Sequence, residues 1–130
     1  MNTQVMHEAL QGSSGGRLTF PQVIGMLAGA GVESYCVDFI GRTDTFYMPD
    51  GTTHVEPVPV NSTPVAEEFS ASGVVAAIRA AQADTMRYPE FVGVVKRAGV
   101  AGYHVYLTGR KVIYFGRRGE LHIEEFPQQN

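Results

Sequence analysis

At 130 residues the chain is the size of one ordinary domain, too short for separate cofactor and substrate domains. Hydrophobic residues make up 44% and charged residues 18%, a balance that excludes intrinsic disorder and fits a packed core. Ten Lys and Arg against thirteen Asp and Glu leave a formal charge of −3, too mild to mark the whole chain for a polyanionic or polycationic partner.

The elements read in order as follows. A first helix is predicted near Thr3–Gln11, then a flexible loop Gly12-Ser13-Ser14-Gly15-Gly16. A second helix opens with Pro21 in its first turn, buries Val23, Ile24 and Leu27, and stops at Ala30-Gly31-Val32, where glycine takes the left-handed conformation. Three short strands follow at Ser34–Ile40, Asp44–Met48 and Thr53–Glu56. Gly41-Arg42 stands where a two-residue type II′ turn belongs, and Pro49-Asp50-Gly51 makes the second turn. Glu56–Pro64 carries three prolines and reads as a stiff, extended connection. The second half then has a helix at Ala71–Ala83 (Val74, Val75 and Ile78 inward) and a helix opened by Pro89 (Phe91, Val92 and Val95 inward) that ends at Ala98-Gly99-Val100. Its strands are Gly102–Thr108, Val112–Gly116 and Leu121–Glu125, joined by Gly109-Arg110 and Arg117-Arg118-Gly119.

The halves resemble each other. Shifted by 68 residues, Phe20–Glu56 overlays Tyr88–Glu124 with 12 identities in 37 ungapped positions, where random pairing gives roughly 2 to 3. The chain therefore reads as one pseudo-symmetric domain, 1–130, made of a duplicated ααβββ unit: repeat one 1–62, linker 63–68, repeat two 69–130. That order predicts an α+β fold, an antiparallel sheet of about six strands with helices packed on one face. Two three-stranded sheets around a pseudo-dyad are the alternative.

Ala76-Ala77-Ile78-Arg79-Ala80-Ala81-Gln82, Ala101-Gly102-Tyr103, Leu107-Thr108-Gly109-Arg110 and Tyr114-Phe115-Gly116-Arg117 together resemble the bacterial and phage family called domain-of-unknown-function 1398, the YbcV-like proteins. Members often carry the label "phage envelope protein". The resemblance spans about Phe20 to Pro127 and implies a small stand-alone protein. It brings no reaction, ligand, cofactor or catalytic residue with it.

Candidate chemistry centres on two His-x-Glu pairs. In a strand, residues two apart share a face, so His54 points with Glu56 and His122 with Glu124. Val55 and Ile123, between them, are predicted to face the core. With Cys36, Asp38, His104 and Tyr106, these side chains would gather on the helix-free face, where they could hold a divalent metal or serve as acid–base groups. The bland alternative is a solvated sheet face. Pairs meeting at the pseudo-dyad would make one symmetric pocket; pairs at opposite sheet edges would end the idea of a shared site. Arg110, repeated as Arg42, could clamp an anion. Gly12-Ser13-Ser14-Gly15-Gly16 satisfies G-x-S-x-G but lacks the strand-to-helix context of a nucleophile elbow. Cys36 reads as structural.

Charge is segregated. Residues 1–68 carry 2 basic and 8 acidic side chains (−6), and residues 69–130 carry 8 and 5 (+3), which returns −3 overall. The segregation is first read as solvated charge, some of it satisfying helix carbonyls; the opposite halves could instead steer two copies together, or the basic half with its aromatics could track a nucleic acid. The leading expectation is a non-enzymatic binding or protein-interaction module, contacting itself or another protein. A small metal- or ligand-dependent enzyme built on His54, Glu56, His104, Tyr106, Arg110, His122 and Glu124 is the first alternative, and nucleic-acid binding the second. One cysteine precludes an internal disulfide, and neither a signal-like start nor about 18 consecutive apolar residues occurs. The expected setting is the cytoplasm, without membrane insertion.

Overall fold

The computed structural model describes residues 1–59 and 61–127; the part of the predicted stiff connection at Val60 and the last three residues of the predicted second repeat lie outside them. Four helices and six strands run in the order α1 (Thr3–Ser14), α2 (Phe20–Gly29), β1 (Ser34–Asp38), β2 (Thr43–Tyr47), β3 (Thr53–Pro57), α3 (Ala71–Gln82), α4 (Tyr88–Arg97), β4 (Val100–Tyr106), β5 (Lys111–Gly116) and β6 (Leu121–Glu125). Every strand pairing is antiparallel, and the strands form one sheet ordered β3-β2-β1-β4-β5-β6. The chain is thus α+β with a single shared sheet rather than two separate ones.

Local chemistry explains the helix ends. The Thr19 hydroxyl accepts from the Gln22 N–H while the Gln22 side chain accepts from the Thr19 N–H, and Pro21 fills the first turn, where no backbone donor is missed. Ser70 caps α3 by accepting from the Gly73 N–H at 3.1 Å. Past α2 and α4, Gly31 (φ +80°) and Gly99 (φ +93°) turn the chain with left-handed backbone. α1 differs from expectation. It runs on through Gly12-Ser13-Ser14 because buried Gly12 lets Leu18 pack against the helix backbone, so only Gly15 and Gly16 leave the helix.

The β1–β2 connection is also longer than predicted. Phe39–Arg42 forms a four-residue turn closed by the Arg42 N–H to the Asp38 carbonyl at 2.8 Å, and the left-handed residue is Arg42 (φ +60°), not Gly41. Asp38 replaces the type II′ geometry by accepting from the N–H groups of Ile40 and Gly41. Arg110 takes the same conformation, φ +54°, at the β4–β5 turn.

All four helices cover one face of the sheet. Met6, Leu27, Val74, Ile78 and Val95 from the helices meet Tyr35, Val37, Phe46, Val105 and Val112 from the strands in one buried cluster. Each such side chain contributes roughly 1.5–3 kcal/mol on burial. Among the described residues no helix covers the other face of the sheet.

Candidate functional site

The edge strands carry the first correction. Cross-strand register puts His54 beside Phe46 and Glu56 beside Asp44, and likewise His122 beside Tyr114 and Glu124 beside Val112. All four therefore lie on the helix-covered face. Val55, Leu121 and Ile123, 52%, 60% and 53% exposed, point to the open face instead of the core. The reason lies in the helices, which supply polar partners above the sheet edges. Glu56 accepts from His7 Nδ1 of α1 at 2.7 Å and from His54 Nε2 at 2.6 Å. Glu124 accepts from Arg79 Nη1 of α3 at 2.8 Å, with His122 Nε2 at 3.5 Å. These contacts, the His7 hydrogen bond first for Glu56 and the Arg79 hydrogen bond first for Glu124, hold both carboxyls below their usual range. β3 and β6 are opposite edges of the sheet, so the two His-x-Glu pairs do not converge. Among the described residues no group of three or more His, Cys, Asp and Glu side chains is placed to hold a metal ion.

The open face keeps Cys36, Asp38, His104 and Tyr106, as expected, but in apolar and aromatic company. One row across the sheet reads Val55, Thr45, Cys36, His104, Ile113, Ile123. The His104 ring lies between two tyrosines, 4.3 Å from Tyr106 at an interplanar angle of 11° and 5.4 Å from Tyr47 at 22°. Its Nε2 is buried with no hydrogen-bond partner among the described residues, and burial lowers its pKa. Phe115 lies across Gly102, where a Cβ would strike both its ring and the Val37 carbonyl. Arg110 stands apart: it donates to the Pro127 carbonyl at 3.1 Å and covers the Phe126 ring at 5.3 Å, so it is not assembled with the histidines.

Two buried charges were missed by the sequence reading. Asp44, 3% exposed, lies beneath the helices among Tyr35, Tyr88 and Tyr103, and its Oδ1 has no partner among the described residues. Burial raises its pKa well above the carboxylate norm, and Glu56 adds to the rise. The Tyr88 and Tyr103 hydroxyls meet at 2.8 Å beside it. Lys96, 6% exposed, is the other; its pKa is lowered by desolvation and by Arg42. The i, i+4 spacing of Val92 and Lys96 was the signal that could have placed Lys96 inward. Ser13 and Ser14 sit in the last turn of α1, which removes the strand a nucleophile elbow requires.

No helix among the described residues is long and apolar enough to cross a membrane. No family model and no curated protein matches the chain.

Proposed function

We propose that this protein is a self-associating binding module that docks a second copy of itself through the open face of its sheet. The observation that carries the reading is the apolar character of that face. Helix-free faces of antiparallel sheets are ordinarily polar, whereas this one presents Val55, Ile113, Phe115, Leu121 and Ile123 around the Tyr47–His104–Tyr106 stack. Six strands about 4.8 Å apart and five residues long give a flat footprint of about 500 Å². Side-chain relief takes this toward the lower end of the ~600–1,000 Å² that each partner of a specific interface buries.

The charge distribution favours a second copy over another occupant. A two-fold contact whose axis runs parallel to the β1–β4 seam lays the half of each copy that carries −6 against the half of the other that carries +3. A polyanion is less well served. Lys111 has Glu125 as its cross-strand partner on the open face, and three arginines of the second half are engaged with carboxylates: Arg79 with Glu124, Arg87 with Asp84 and Arg118 with Glu67. An acid–base enzyme reading loses its basis with the separation of the His-x-Glu pairs. The likeness to domain-of-unknown-function 1398 is compatible with such a module and supplies no ligand; a cytoplasmic setting suits its single half-buried thiol.

Sedimentation velocity tests the reading. The expected result is a species of twice 14.1 kDa at micromolar concentration, reduced to one copy by Ile123→Glu or Tyr106→Glu and weakened by high salt. A wild-type protein that stays at 14.1 kDa up to high micromolar concentration overturns it.

A further inference from the structure

A cavity of about 110 Å³ opens on the covered side of the sheet, between α1, α4 and the residues Val58, Pro59 and Asn61. Its walls are mainly apolar, with Leu10, Val37 and Val92 among them and Ser14 and Asn61 as polar members, and its charged lining consists of Lys96 and Arg42. Lys96 is the unusual member. Its Nζ has three donors; it makes one hydrogen bond to the Asn61 carbonyl at 3.1 Å and lies over the Phe39 ring at 5.5 Å. Among the described residues no carboxylate pairs with it, and the charge that acts on it, Arg42, has the same sign. Buried ammonium groups are ordinarily compensated by an anion. Here two cations share one cavity, and among the described residues no carboxylate compensates them.

We propose that this cavity is a binding site for a short-chain aliphatic monocarboxylate, its carboxylate received by the buried Lys96 ammonium and the Arg42 guanidinium at the mouth, and its alkyl chain laid along Leu10, Val37 and Val92. The volume sets the size. A dry cavity of about 150 Å³ accommodates a benzene ring, so about 110 Å³ admits the three-carbon tail of butyrate with its carboxylate at the mouth and is too small for the ring of benzoate. The charge sets the class. The two cations face a space without further charged lining, which suits one negative charge on an apolar body better than the multiple charges and many acceptors of phosphate. The site is on the opposite side of the sheet from the face assigned to self-association, so the two readings stand or fall separately.

Thermal unfolding at fixed ionic strength, with sodium butyrate, n-butanol, benzoate and inorganic phosphate as probes, tests the proposal. Butyrate is expected to raise the melting temperature in a saturable manner, as a ligand of the folded state must, while butanol, benzoate and phosphate do not. Lys96→Met should abolish the butyrate shift and raise the melting temperature of the ligand-free protein, because it replaces an uncompensated buried charge with an apolar chain of similar length. Arg42→Gln, at an exposed position, should leave the ligand-free melting temperature nearly unchanged and weaken butyrate binding about tenfold. A flat response to butyrate overturns the proposal, as does a phosphate shift larger than the butyrate shift or an undiminished butyrate shift in Lys96→Met. Should Lys96→Met fail to fold, undiminished butyrate affinity in Arg42→Gln overturns it equally.

Discussion

Cys36 and His104 are cross-strand partners at the seam between β1 and β4, and they are also related by the 68-residue shift. Along that seam partner numbers add to 140 (34 with 106, 36 with 104, 38 with 102), so 36 and 104 satisfy both conditions. The centre of the sheet therefore passes between a thiol and an imidazole, both directed to the open face. Burial pushes the Cys36 thiol up to about 11, with Asp38 and Asp44 adding to it. Little thiolate is present near neutrality. Ellman's reagent should react slowly with the native protein at pH 8, faster as pH approaches 11, and at the ordinary thiol rate in denaturant. Fast reaction of the native protein at pH 8 would contradict this.

Asp44 makes stability fall as pH rises above the ordinary carboxylate value. A carboxyl whose folded pKa is raised holds its proton in the folded state, so its stabilising contribution is complete below the ordinary value of 3.8 and is lost as pH rises through the folded value. Asp44→Asn keeps the shape and cannot ionise. It should be more stable than wild type at pH 8 by about 1–3 kcal/mol, the cost of an uncompensated buried polar group, and the difference should vanish below pH 3.8. Urea melts at both pH values measure it.

Glu56 and Glu124 act on the acid limb with the opposite sign. Their folded pKa values lie below the ordinary 4.5, so their contribution is present above that value and is lost as pH falls through the folded ones. The double variant Glu56→Gln/Glu124→Gln should melt lower than wild type at pH 7 and show a shallower fall between pH 5 and 3 (about the carboxylate range). Parallel acid limbs would assign the acid sensitivity elsewhere.

Gly31 and Gly99 occupy matching positions and should respond unequally to alanine. At Gly31 the added methyl meets only the Met48 side chain at 3.7 Å, leaving the left-handed backbone as the cost, about 1–2 kcal/mol. At Gly99 it collides with the backbone of Glu68 and Phe69, which cannot move without displacing the start of α3. Gly99→Ala should cost at least about 3 kcal/mol. Equal losses would mean that the two chain reversals are packed alike.

Most of the fold was legible in residue order. The two helix-opening prolines, the Ala-Gly-Val helix ends and the alternation of Tyr35-Cys36-Val37 and Tyr103-His104-Val105 gave the elements and the faces of the central strands. The edge strands were misread because Val55 and Ile123 were assigned inward on hydrophobicity alone. Their phase is fixed by register with β2 and β5, where Phe46 and Tyr114 point inward, and by His7 and Arg79 reaching down from α1 and α3. Neither contact leaves a local trace in the sequence. The cavity was hidden for a related reason. Lys96-Arg97 looks like a solvated pair at a helix end, and only the packing of α4 separates a buried Lys96 from an exposed Arg97.

The strand order also governs how the sheet can assemble. Four of its five pairings join strands that are neighbours in sequence, β1–β2, β2–β3, β4–β5 and β5–β6. The β1–β4 seam alone brings together strands separated by the whole of α3 and α4. Local hairpins close in microseconds, whereas a pairing across a long loop must overcome its closure entropy first. The pairing of the two meanders along β1 and β4 is therefore the expected slow event in folding, which stopped-flow refolding measures. A substitution on that seam, such as Val37→Ala or Val105→Ala, will retard folding more than an equally destabilising one on β3 or β6.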